Sequence, residues 1–102
     1  MIVTVEDRIR AAFPEAPDAM VAIARCESTL RQFEPDGVTP LAGRMSPDVG
    51  LFQINIVHWQ TAQKLGIDIY SEEGNIAYAR RLFKANGFRD WYPSNHCHHL
   101  LG

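Results

Sequence analysis

The sequence predicts a mainly α-helical domain of α+β character, with several short helices around a central one and an irregular segment or small hairpin between Glu27 and Gln53. Three observations lead there. Apolar residues recur three and four positions apart in four separate stretches, the pattern of helices that bury one face. Pro35, Gly37, Pro40, Gly43 and Pro47 break all periodicity between Gln32 and Val49. Finally, 102 residues with 46% hydrophobic and 22% charged side chains suit one packed domain spanning residues 1–102 rather than a disordered chain.

The first helix opens at Thr4, where Asp7 completes a capping box, and Val5, Ile9, Ala12 and Phe13 carry its apolar face up to Pro14. After the turn Pro14-Glu15-Ala16-Pro17, Asp18 is read as the cap of a second helix, with apolar positions Met20, Val21, Ile23, Ala24 and Leu30. Glu27 falls in its last turns. The long irregular segment from Gln32 to Val49 is of a length that usually serves a function. Gly50-Leu51-Phe52-Gln53-Ile54-Asn55 reads as a short apolar strand around Phe52 with amides toward its end. Residues Ile56 to Leu65 continue as a helix that Gly66 closes. Ser71, with Glu72 and Glu73 behind it, starts another, whose stripe of Ile76, Ala79, Leu82 and Phe83 ends at Asn86-Gly87. Phe88 to Gly102 reads as a tail holding Trp91, Tyr92, Cys97 and three histidines.

Ten basic residues are scattered among twelve acidic ones for a net charge of −2, with no Lys/Arg block to track phosphates, so nucleic acid is excluded as a partner. No stretch has the apolar length of a membrane span, and the first seven residues turn acidic before a signal core forms; export would rely on a signal outside this sequence. Cys26 and Cys97 have two readings, a disulfide closing a long loop or two reduced thiols, and the disulfide is the expectation adopted. His96, Cys97, His98 and His99 carry zinc-ligand chemistry, but neighbours on an extended tail point apart, so neither a metal nor another cofactor is expected.

A helical glutamate is ordinarily a solvated surface group. Glu27, however, shares its face with Ile23, Ala24 and Leu30, and it sits near the negative pole of the helix dipole. Both conditions favour the protonated carboxyl, the form a general acid needs at a glycosidic oxygen.

Three ordered stretches then bear a resemblance. Ala22-Ile23-Ala24-Arg25-Cys26-Glu27-Ser28-Thr29-Leu30-Arg31, Gly50-Leu51-Phe52-Gln53-Ile54-Asn55 and Gly74-Asn75-Ile76-Ala77-Tyr78-Ala79-Arg80-Arg81-Leu82 resemble the motifs of the lytic transglycosylase SLT family, within the lysozyme-like superfamily. The resemblance implies a lysozyme-like fold, peptidoglycan glycan strands as substrate, and the Glu of the Glu27-Ser28 pair as sole catalytic acid/base. It places substrate contact on Gln53, with Phe52 where methionine is usual. Asn55, an amide able to donate and accept toward N-acetyl groups, joins the candidate substrate-binding residues with Ser28, Asn75, Tyr78 and Trp91. No Ala-Tyr-Asn tripeptide follows Asn75, so the family's carboxyl-facing tyrosine has no direct counterpart, and Tyr78 or Tyr92 is the candidate substitute.

The implied reaction cuts the bond between N-acetylmuramic acid and N-acetylglucosamine without water and forms a 1,6-anhydro sugar, by a monomeric protein acting outside the cytoplasm. The alternatives are a hydrolytic lysozyme, which uses a second carboxylate from among Glu34, Asp36 and Asp48, and a non-catalytic glycan-binding or assembly module.

Overall fold

The computed structural model describes residues 2–43 and 46–100. Helix α1 (Val5–Ala12) and helix α2 (Pro17–Ser28) come first, followed by the irregular segment and strands β1 (Asp48–Val49) and β2 (Ile54–Asn55). A 3-10 turn (Ile56–His58) runs into α3 (Trp59–Lys64), then come α4 (Glu72–Asn86), a 3-10 stretch (Arg89–Ser94) and α5 (Asn95–His98). The two strands pair antiparallel, Asp48 opposite Asn55 and Val49 opposite Ile54. Isolated bridges Phe33–Pro40 and Ala42–Val49 extend this pairing back through the irregular segment. The described chain is thus mainly helical with one small antiparallel sheet.

Local chemistry explains most boundaries. The Thr4 hydroxyl accepts from Asp7 N–H at 3.1 Å while the Asp7 carboxylate accepts from Thr4 N–H at 3.0 Å, a reciprocal cap on two orphan donors. Ser71 caps α4 through Gly74 N–H, and Gly87, at φ +64°, ends it. Two expectations fail here. Asp18 does not cap α2: the cap position is Ala16, Pro17 fills the first turn, and Asp18 lies inside the helix, where its charge meets the positive dipole end and Arg10 at 2.6 Å. Leu30 is not helical either. Thr29 and Leu30 both adopt left-handed backbone, φ 55° and 61°, with their N–H groups returned to the carbonyls of Arg25 and Ala24.

The core lies where the helices meet the β1–β2 turn. Phe13, which caps the end of α1, packs on Phe52 and on Phe83 of α4, at 5.7 and 5.8 Å between ring centroids, and Phe52 packs on Trp91 at 5.9 Å. This aromatic chain joins both ends of the sequence through Phe52. Phe52 itself sits in the turn before β2, not in a strand: its neighbour Gln53 has φ 50°, which no strand allows. Within the segment read as a tail, Arg89–Ser94 and Asn95–His98 are helical, residues 101 and 102 lie outside the described residues, and Cys97 in α5 is bonded to Cys26 in α2.

Candidate active site

Glu27 is the penultimate residue of α2, half-buried at the edge of a cleft of about 400 Å³. Burial is the main cause that pushes its pKa above the usual carboxyl value, and the negative charge of Asp48 adds to it. The nearby Ser94 hydroxyl and the charge of His96 act in the opposite direction without cancelling the rise. Asp48, on β1, lines the same cleft, and so do Gln53, Asn55, His58 and Trp91. Asp48 is held by the Ser46 hydroxyl on its carboxylate and by Gly43 N–H on its carbonyl at 2.9 Å.

The floor of the cleft is positioned by two buried amides. Asn75 of α4 accepts from Phe52 N–H at 2.8 Å and donates to the carbonyls of Val49 and Ile69, each at 2.9 Å. Gln32 accepts from Leu51 N–H at 2.8 Å and donates to the carbonyl of Tyr70 at 3.1 Å. Together they satisfy a turn that has no regular ladder of its own, the usual condition for burying irregular backbone. Gly50 is required between them. Its φ is +77°, and a Cβ there would lie 2.5 Å from Gln32 Nε2 and 2.6 Å from Asn75 Nδ2.

No protein-family model, curated protein or solved structure matches the chain.

Three of the expected substrate contacts are interior residues. The Ser28 hydroxyl is buried and donates to Leu51 C=O at 2.7 Å, tying α2 to the cleft floor. Phe52 is a core residue, and Asn75 spends its amide on backbone. Each corrects the expectation of sugar contact for the same reason: a polar or aromatic group beside the Glu27 helix is needed to hold irregular chain in place. Tyr78 is also buried and reaches the cleft only through His58. Trp91 is 2% exposed and donates its indole N–H to Phe52 C=O at 3.1 Å, so it forms a wall of the cleft rather than an open stacking platform.

Gln53 and Asn55 do line the cleft, although both also serve the backbone. Gln53 Nε2 donates to Gly50 C=O at 2.9 Å and Leu41 C=O at 3.3 Å, while Asn55 Oδ1 accepts from Val57 N–H at 2.9 Å. Among the loop carboxylates, Asp36 is committed to its own turn, where hydrogen bonds from Thr39 and Val38 hold its pKa below the usual value. Glu34 does not line the cleft. Sequence reasoning missed Gln32, His58 and Ser94. None stands at a periodic position or in a motif, and each acts across a fold contact.

Proposed function

We propose that this chain is a peptidoglycan-cleaving glycosidase of lysozyme-like fold, with Glu27 as its catalytic acid and base. The observation that carries the reading is the half-buried Glu27, its pKa raised mainly by burial, at the edge of a cleft that also presents amides and a second carboxylate. Neutral sugars offer hydroxyl and acetamido groups, which such amides complement. Glu27 protonates the glycosidic oxygen of the bond between N-acetylmuramic acid and N-acetylglucosamine, and the positive charge that develops at the sugar needs a partner.

Two courses follow from there. The motif resemblance implies a transglycosylase, in which the ionised Glu27 activates the muramoyl C6 hydroxyl and an anhydro sugar results. Asp48 favours the hydrolytic lysozyme course instead. It lines the cleft with Glu27, its charge acts on Glu27, and in an acid–carboxylate pair it stabilises the glycosyl cation while water completes the reaction. We rank hydrolysis first on this geometry. The disulfide and the wall substrate both fit a place outside the cytoplasm, and no described helix is long and apolar enough to cross a membrane.

Mass analysis of sugar ends released from purified peptidoglycan tests the reading. Hydrolysis yields reducing muramic ends, and Asp48→Asn lowers turnover by on the order of a hundredfold or more. Ends lighter by one water, formed at undiminished rate by Asp48→Asn, would return the reaction to the transglycosylase course. An intact wall after exposure to the folded protein would remove both.

A further inference from the structure

His58 lines the cleft yet has no role in the proton transfers above. Its ring lies 5.1 Å from that of Tyr78 on α4, tilted by 44°, and its Nδ1 is 3.2 Å from the Tyr78 hydroxyl. Tyr78 is only 3% exposed, and among the described residues Nδ1 is the hydrogen-bond partner of its hydroxyl. A phenol has one proton to place. If Nδ1 carried the ring proton, it would donate to the phenol oxygen and leave the phenol proton buried without an acceptor, a costly arrangement. The favoured arrangement has Tyr78 donating to Nδ1, which leaves the neutral imidazole protonated at Nε2.

Nε2 points away from Nδ1's partner, and so away from the buried phenol. Of the neighbouring cleft amides, Gln53 already donates to backbone through Nε2, while Asn55 accepts from backbone through Oδ1 and keeps its Nδ2 donor on a side chain that no second bond fixes among the described residues. A rigid N–H with no backbone task is then the group best suited to bind a neutral acceptor. We propose that His58, locked in the Nε2–H tautomer by Tyr78, donates a hydrogen bond to a carbonyl or hydroxyl oxygen of the glycan in the cleft. Tyr78 is a positioning residue that acts through His58. The inference rests on the glycan reading of this cleft and adds the donor that orients the chain within it.

Two measurements on the full chain test it. Long-range ¹H–¹⁵N correlation of the imidazoles, at a pH where His58 is neutral, should show the Nε2–H tautomer in the wild type and a mixture in Tyr78→Phe. An Nδ1–H tautomer in the wild type would overturn the lock. Titration with an N-acetylglucosamine oligomer, in a Glu27→Gln background that prevents turnover, should show about three- to tenfold weaker binding for His58→Ala, with part of it recovered by His58→Gln, whose amide restores an N–H. The Trp91 indole resonance reports cleft occupancy independently of His58. If it shifts on titration while His58→Ala binds as well as its parent, the His58 role is wrong. If it does not shift at any concentration, the cleft does not take glycan, and both this proposal and the glycan reading fall.

Discussion

Burying a carboxyl group makes its ionisation costly to the fold, and Glu27 bears that cost. Its pKa is raised mainly by burial, so the folded state binds its proton more tightly than the unfolded chain does. The sign is therefore fixed: its contribution to stability is complete below the ordinary glutamate pKa and is lost as pH rises through the raised value. Glu27→Gln removes the ionisation while keeping the shape. The variant should lack wall-lytic activity yet match the wild type in stability at low pH and exceed it modestly at neutral pH, as read by thermal melts across pH. A variant less stable than wild type at neutral pH would mean that the ionised carboxylate is held by partners, against the burial argument. At this scale the half-burial of Glu27 was legible, because Ile23 and Ala24 on its helix face are buried. Leu30, invoked for the same face, lies beyond the helix end. Which of Glu34, Asp36 and Asp48 meets Glu27 in the cleft was not legible, because the placing of Asp48 depends on a two-residue strand that no periodicity marks.

Elements were legible where their ends carry their own chemistry. The Thr4–Asp7 box and the Ser71 cap both form as their residue types dictate, and α4 stops at Gly87. The β1–β2 turn was misread as a strand around Phe52, because a buried turn and a buried strand both present an apolar run, and the difference lies in distant amides. Asn75, a candidate substrate-binding residue in the sequence, spends its amide on supporting that turn. Asn75→Ala strips partners from Phe52 N–H and from the carbonyls of Val49 and Ile69. We expect a loss of about 3 kcal/mol or more in chemical denaturation, since buried backbone groups left unpaired cost roughly 1–3 kcal/mol each. A loss under about 1 kcal/mol would show the turn to be held by packing alone.

At the scale of the whole molecule, the cleft is built from chain segments far apart in sequence, with Glu27 supplied by α2, Asp48 by β1 and Trp91 by the stretch after α4. The stretch from Arg89 to His98 closes one wall, and its own helical turns are too short to be stable alone. His98 Nε2 against Trp91 C=O and the Ser94 hydroxyl braces it internally, and two ties fasten it to the rest: the Trp91 indole on Phe52 C=O and the bond from Cys97 to Cys26. The last is covalent and anchors the wall one residue from Glu27. It closes a loop of 71 residues, and constraining the unfolded chain over that length contributes on the order of 4 kcal/mol in the chain-entropy model. In a domain of this size that is a large share of the whole. Reduction, or the paired substitution Cys26→Ser with Cys97→Ser, should therefore lower the unfolding free energy by an amount close to that figure, read as a lower denaturation midpoint. The wall should loosen before the rest, so the indole fluorescence of Trp91 should change at lower denaturant than far-ultraviolet circular dichroism, with Trp59→Phe removing the other tryptophan's signal. Coincident transitions, with the midpoint unmoved by reduction, would show that the aromatic core holds the C-terminal wall without the disulfide.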